Sequence, residues 1–345
     1  MKKIRSQICA GLLLAAFDCV ALAQSPSGKA IPVTADNFNR AETDLYFSRV
    51  AKDGGFGKFN HTREPTPLDR QAVIRSNRDT LYSPAVFDLD AGPVKITLPK
   101  PGNRFMSMIV INEDHYIYEV DYSPGTYNVT RAEIGTRYVL MGLRILADPG
   151  DPQDLKQAYA LQDAVIVRQR NAGRFEPANW DTVSQKKVRD ALLVLNTTLP
   201  DLKRAFGSRT QVDRVRHLIA TAAAWGGNPD SDATYLNVTP SKNDGATIYR
   251  LTVPAKVPIN AFWSVTVYNA EGFLQKNPYD AYSLNSMTAK KNADGSVAIQ
   301  FGGCDGKIPN CLPTLKSWNY MVRLYRPRDD ILSGKWKFPE AQAVN

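Results

Sequence analysis

Histidine and cysteine are scarce in this chain, with three and four among 345 residues. No motif links His61, His115 or His217 to a serine, and there is no G-x-S-x-G elbow, so serine-hydrolase chemistry lacks a visible nucleophile. Cys9 and Cys19 fall in the N-terminal segment. The remaining pair, Cys304 and Cys311, supplies too few ligands for a metal centre and has no histidine nearby in sequence. No metal or cofactor is expected. The strand patterns show no βαβ alternation, which argues against a Rossmann or other parallel-sheet enzyme. Past residue 23 no segment is apolar enough to span a bilayer. Lys and Arg outnumber Asp and Glu 43 to 34, but they are scattered, without a run of four. With no helix-turn-helix, zinc-finger or RNA-binding signature, the net charge of +9 reads as a diffuse basic surface, not a nucleic-acid interface. Internal repeats and low-complexity tracts are absent too.

What the chain does have begins with a secretory signal. Lys2, Lys3 and Arg5 precede an apolar segment from Ile8 to Leu22, and Ala21-Leu22-Ala23 forms an A-x-A exit. Cleavage is expected after Ala23, which lowers the net charge to about +7. Asp18 interrupts the apolar segment and argues against a retained anchor; it also stands where lipoprotein processing at Cys19 would need a small residue. The mature protein is thus expected in the periplasm or outside the cell. In that setting Cys304 and Cys311, in a Gly- and Pro-containing loop, read as a disulfide.

Residues 24–36 are small and polar, as in a flexible leader. A helix is expected from Asn37 to Lys52, ended by Gly54, Gly55 and Gly57. Closely spaced strand patterns then run from Ala72 to Leu146, separated by Gly, Pro, Asn and Asp. Asp151-Pro152 opens a helical stretch that continues through 181–196 and 211–225, and strand patterns return from Thr247. The predicted class is α+β, mainly β: two antiparallel β-sandwich or jelly-roll-like domains, 37–150 and 236–345, joined by a helical connector over 151–235.

From Phe262 to Trp336 aromatic and β-branched residues alternate with Asn, Asp, Tyr and Arg. Period-two alternation puts one set in a core and leaves a polar, aromatic, accessible face, suited to a polar small molecule or a glycan. Tyr268, Asn269, Asn277, Tyr279 and Tyr282 offer hydrogen-bonding surface on this part of the chain. Arg323, beside Tyr325, suits bidentate capture of a carboxylate or sulfate, or a buried ion pair. In the N-terminal part, Asn77, Arg78 and Asp79 with Tyr82 either satisfy a turn or project into a cleft. Glu113, His115, Ile117 and Glu119 would share one strand face, where a metal site of His and carboxylate is also conceivable. A glycosidase needs two carboxylates across the bond, and Asp79 with Glu113 is the first pairing to consider, against the plainer reading of solvated turn charges.

Two sets of motifs resemble known families. Arg75-Ser76-Asn77-Arg78-Asp79-Thr80-Leu81-Tyr82-Ser83, followed by Gly102-Asn103-Arg104-Phe105, resembles domain of unknown function 1254. Trp263 to Trp336, with Asn277-Pro278, Asn292-Ala293-Asp294-Gly295-Ser296, Asn310-Cys311-Leu312-Pro313 and Arg323-Leu324-Tyr325, resembles domain of unknown function 1214. Cys311 stands where many members carry Trp. The resemblance implies an exported protein with two β-rich domains joined by helices, and no settled reaction; the carboxylesterase label attached to some members finds no nucleophile here. It also favours Trp225, Asn228, Asp232 and Tyr235, at the return from helix to strand, as pocket lining beside Asn77 to Tyr82. The leading expectation is a hydrolase-like protein acting on a polar small molecule or glycan in an interdomain cleft. Alternatives are a non-catalytic carbohydrate or small-ligand binder, and an envelope assembly or virulence-associated interaction protein. A homo-oligomer is compatible with each.

Overall fold

The computed structural model describes residues 29–71 and 74–344. The signal segment lies outside the described residues. The expected flexible leader is tied down from Ile31 onward: Ile31 N–H donates to Asn179 O at 2.7 Å, and the buried Val33 donates to Ser184 Oγ at 2.9 Å.

The first half begins with helix α1 (Phe38–Lys52), which buries Phe38, Ala41 and Phe47 and carries Arg49 and Lys52 in its last turn, where positive charge complements the helix dipole. Strands β1 (Thr80–Asp88), β2 (Val94–Leu98), β3 (Met106–Asn112), β4 (Ile117–Asp121) and β5 (Gly125–Val129) follow, then the one-turn helix α2 (Arg131–Ile134), strand β6 (Tyr138–Leu146), helix α3 (Pro152–Asp163) and strand β7 (Ile166–Arg168). They form two antiparallel sheets, ordered β1-β6-β3-β4 and β5-β2-β7. Leu81, Phe87, Met108, Met141 and Leu143 from the first meet Val94, Ile96 and Val129 from the second, and α3 covers the same core with Leu155 and Ala158. The Asp151 carboxylate caps α3 and Pro152 occupies its first turn, as the sequence indicates.

Helices α4 (Thr182–Asn196) and α5 (Arg214–Ala223) are not a linker. Leu192 and Ile219 pack against Phe38 and Ala41 of α1. Beside them Phe47 of α1 and Ala220 of α5 cover Val86, Ile109, Ile111 and Leu140 on the outer face of the first sheet. Most of the expected connector over 151–235 is thus built into the first half, with β7 paired to β2, while its last residues open a strand of the second half.

The second half contains strands β8 (Ala233–Val238), β9 (Tyr249–Val253), β10 (Trp263–Tyr268), β11 (Ser283–Asn285), β12 (Val297–Phe301), β13 (Cys311–Leu312) and β14 (Asn319–Tyr325), the short helix α6 (Asp329–Leu332) and β15 (Gln342–Ala343). Their sheets are ordered β11-β10-β14-β8 and β13-β12-β9-β15, with only the β12–β13 pair parallel among the strand pairs described. Between them lies a core of Trp263, Val265, Leu251, Ile299, Phe301, Val322 and Leu324 around the fully buried Trp318. A Cys304–Cys311 disulfide closes the loop from β12 to β13. No helix among the described residues is long and apolar enough to cross a membrane.

The expected strand from Ala72 is absent where it can be described: Ile74 and Arg75 lie in a turn, and Ala72 and Val73 fall outside the described residues. That segment docks on the second half instead. Arg75 N–H donates to Gly272 O at 2.7 Å, Tyr268 donates to Ser76 O at 2.7 Å, and Gln71 exchanges two hydrogen bonds with Leu274.

Candidate functional site

The two halves meet through the faces their own cores do not use. Register sets one polar row across the sheet of the second half: Asn285 opposes Ser264, Ser264 opposes Arg323, and Arg323 opposes Tyr235. Because side chains alternate, the other face of those strands presents Trp263, Val265, Val322 and Leu324 to the core. In the first half Tyr82 opposes Arg144, and Arg144 opposes Ser107. The alternation read from the sequence therefore groups the right residues, but their polar face is covered by the first half instead of being open. All of β14 is consequently buried.

Three charged side chains tie the rows together. Asp79, 2 % exposed, accepts from Ser283 Oγ at 2.9 Å and Asn285 Nδ2 at 3.2 Å. Arg144 donates to Asn228 Oδ1 and, at 2.9 Å, to Gly226 O, while Asn228 Nδ2 donates to the Tyr235 hydroxyl at 3.1 Å. Arg323, 2 % exposed, donates to Thr266 Oγ1 at 2.9 Å and to Arg75 O and the Tyr268 hydroxyl at 2.7 Å each. Within this layer Asp79 Oδ2 and Ser264 Oγ are buried without a hydrogen-bond partner. Tyr82, Arg144 and Tyr235 are only half-buried although the sheets enclose them, so water-accessible space reaches between the rows.

The charges of this junction are unbalanced. Every ion pair among the described residues involves a cation at or before Arg216, all within the first half. Arg75, Arg78, Arg144, Arg323 and Arg326 belong to none of them. Their hydrogen bonds and ring contacts go to neutral groups: Arg75 to Asn319 Oδ1, Arg78 to Thr66 O and the Tyr282 ring, Arg144 over Tyr82, Arg326 over Tyr122; Asp79 near Arg323 and Asp280 near Arg78 act on them without an ion-pair contact. The Tyr325 and Tyr122 phenols do not supply counter-charge. Burial pushes Tyr325 well above the ordinary tyrosine range, and burial with the adjacent Asp232 carboxylate does the same to Tyr122.

Above this layer lies an open groove between the halves, of about 660 Å³, continuous through Pro101, Gly102, Tyr122 and Arg326 with a second hollow of about 570 Å³. Phe105, Leu146, Phe262 and Met287 form its apolar wall. Tyr325 stacks on Phe262, centroids 4.2 Å apart, and so separates the groove from the arginine layer. Arg326 lines the groove and the second hollow, and Lys100 the second hollow alone, both without an ion-pair partner among the described residues; Arg104, also in the groove wall, is already paired with Asp154. Arg326 has φ 52, an uncommon conformation for a residue with a side chain, secured by its N–H to Asp232 O at 2.9 Å and by Asn260 N–H to its own carbonyl at 2.8 Å. Asp121 lines the second hollow with its Oδ2 unpartnered, and burial together with Glu119 raises its pKa to about 7.

Of the residues singled out from the sequence, Asn77, Arg78, Asp79, Tyr82, Asn228, Asp232, Tyr235 and Arg323 converge on this junction. Asn77 donates to the Tyr82 hydroxyl and its Oδ1 accepts from Asp79 N–H, serving both turn and layer. Asp232 accepts from Tyr122 at 2.8 Å. The others lie elsewhere. Asn269 shapes a turn, its Oδ1 accepting from Phe273 N–H. Tyr279 donates to Cys304 O beside the disulfide. Trp225 stacks between Tyr46 and His115 in the helical layer.

The Asp79–Glu113 pairing is a correction. Asp79 sits where β6 ends, its carbonyl accepting from Ala147 N–H; Glu113 sits where β6 begins, accepting from Tyr138 N–H. Nine residues of strand separate those points, roughly 30 Å along the backbone, against about 5–9.5 Å for glycosidase carboxylates. Nor do Glu113, His115 and Glu119 share a strand face. Residues 113–116 form the β3–β4 turn, and φ 66 at His115 turns its ring into the interior toward Thr221. A Ser–His contact unseen in the sequence, His61 Nδ1 to Ser83 Oγ at 2.8 Å, involves a fully buried serine that also accepts from Gln162; it is structural. Sequence reasoning passed over Arg144, Arg326, Ser264, Asn285, Tyr122 and Asp121, because only strand register and domain docking bring them to the junction.

Family models described as Protein of unknown function (DUF1254) and Protein of unknown function (DUF1214) match residues 56–124 and 233–329. The chain carries both regions, in that order. The crystal structure of the VPA0106 protein from Vibrio parahaemolyticus is similar, with a TM-score of 0.66 at 19% identity over 90% of this chain and 98% of that one, a likeness of fold. An uncharacterised Burkholderia cenocepacia protein superposes at a TM-score of 0.49 and 13% identity, covering 90% of this chain and 88% of its own. No curated protein matches. The residues at the junction span both matched regions and, outside them, Arg144 of β6 and the turn at Gly226 and Asn228, so neither region alone contains the site.

Proposed function

We propose that this protein binds a small anionic molecule at the junction of its two β halves, in the groove over the arginine layer. The observation that carries the reading is the set of junction arginines without carboxylate partners. A guanidinium does not lose its proton in a protein, and five of them against few nearby carboxylates, their hydrogen bonds going to neutral groups, leave a favourable field for an anion. Lys100 and Arg326 bring that field to the open wall. This favours the binding alternative over carboxylate-based hydrolysis, because Asp79 and Glu113 stand at opposite ends of a sheet. The signal-like N-terminus and the disulfide support a place of action outside the cytoplasm.

Thermal-shift and calorimetric titration of the mature protein with acetate, sulfate, phosphate and neutral sugars test the reading. At least one of the anions should stabilise it where the neutral sugars do not. Arg326→Gln, at an exposed position, should weaken binding roughly 10- to 100-fold, the range of a charge-assisted hydrogen bond. Stabilisation by neutral sugars alone, unchanged in Arg326→Gln, would restore the glycan reading.

A further inference from the structure

The groove wall specifies more than a charge. Phe105 is the hub of a herringbone of rings: its centroid lies 5.1 Å from Phe262 at 71°, 5.8 Å from Tyr122 at 58° and 5.5 Å from Tyr325 at 56°. Phe105 is half-buried, so the cluster stops at the groove with a ring still partly uncovered. Aromatic side chains favour such tilted and edge-to-face neighbours, and another ring continues the pattern. Arg326 closes one end with its guanidinium carbon 4.5 Å from the Tyr122 centroid. A guanidinium stacked on a ring keeps its N–H fork in its own plane, the geometry that takes a carboxylate bidentately.

The anion should be singly charged and flat. Arg104 is paired with Asp154, leaving one free fork in the wall, and Asp121 and the nearby Asp232 disfavour a phosphate dianion. We propose, resting on the anion-binding reading above, that the ligand is an aromatic carboxylate, its ring against Phe105 and Phe262 and its carboxylate on Arg326 with Lys100 alongside. The hollow of about 660 Å³ exceeds a single benzoate and admits a substituted ring or a small fused system, with Asn103, Gln157 and Asn260 on the rim for hydroxyl or amide substituents.

The experiment is calorimetric titration of the full mature protein with four probes: benzoate, cyclohexanecarboxylate, acetate and benzyl alcohol. Wild type is compared with Arg326→Gln and with Met287→Trp, which fills the groove from an exposed position. Benzoate should bind roughly five- to tenfold more tightly than cyclohexanecarboxylate, the worth of one ring pair. Acetate and benzyl alcohol should be weaker still. Arg326→Gln should remove the preference for benzoate over benzyl alcohol, and Met287→Trp should weaken benzoate while sparing acetate. Equal binding of benzoate, cyclohexanecarboxylate and acetate, lost in Arg326→Gln, would overturn the aromatic assignment and leave the anion site standing. No binding of any carboxylate, with unchanged melting temperatures in both variants, would overturn both.

Discussion

Arg323 shows how one residue type reads differently in sequence and in space. On a strand with Tyr325 it looks like a surface clamp or half of an ion pair; it is neither, because another sheet covers it and its donors go to Thr266, Tyr268 and the Arg75 carbonyl. Removing it strands those acceptors, so Arg323→Met should destabilise the fold by about 2–4 kcal/mol in urea denaturation. A loss below about 0.5 kcal/mol would mean the arginine layer contributes little to the junction. Asp44 supplies a second test at this scale. Burial raises its pKa to about 7 despite the Trp180 N–H bond at 2.8 Å, with Glu113 adding to the rise. The native state then holds a proton that the unfolded chain, titrating at about 3.9, releases. Stability from this group is present at low pH and declines as pH rises from about 4 through about 7. Buried neutral His115 and His217, both lowered by burial, give the opposite slope on acidification. Melting temperatures of wild type and Asp44→Asn across about pH 5–8 isolate the aspartate: the variant should gain on wild type as pH rises, and parallel curves would refute the assignment. Asp121 acts on the ligand. Protonated below about pH 7, it leaves the groove more positive, so affinity for benzoate or acetate should rise as pH falls through 7 and stay flat in Asp121→Asn.

At the scale of elements, loops do the positioning. The turn after α5 holds Arg144 through Gly226 O and Asn228 Oδ1, while His115 Nε2 accepts from Gly226 N–H at 2.9 Å. Gly226 takes φ 77, and a Cβ on Gly227 would lie 2.5 Å from the Phe206 ring. Gly227→Ala should therefore lower stability by about 1–3 kcal/mol and weaken anion binding with it, checked by denaturation and titration on one sample. The disulfide is an independent staple of the β12–β13 loop. Replacing both cysteines by serine should cost at most about 2–3 kcal/mol, the closure entropy of a short loop. It should leave anion binding intact, since Tyr279 and the loop stand away from the groove lining. Helix and strand positions were largely legible from periodicity: α1, α3, α4, β1, β2, β3, β6, β10 and β14 fall where the patterns lie. The hairpin turn at His115 was not, because a run of Glu, Asp, His and Tyr between strands has the same period-two look as a strand.

For the whole molecule, the two sandwiches share a junction that neither completes alone. The segment from Gln71 to Asp79 docks on the second half, and Leu146, Phe105, Phe262 and Tyr325 join in one apolar cluster. Separating the halves would expose Arg323, Ser264 and Asp79 together with those rings. Calorimetric unfolding should accordingly show one cooperative transition. Two resolved peaks, each matching a half, would mean the interface is weakly coupled, and the site would then open by domain motion.

The amino-acid sequence by itself determined the cysteine pairing, the mainly β class, the helix positions and which residues of each strand share a face, since these follow from local periodicity, capping and spacing. Only the tertiary structure decided that the polar face of β10 and β14 is an interior, that the helical stretch belongs to the first half, that Asp79 and Glu113 stand apart, and that the junction arginines join no ion pair among the described residues. Which charges are neighbours depends on register and on how two sheets are laid together, and those are set by the burial of apolar faces over the whole chain.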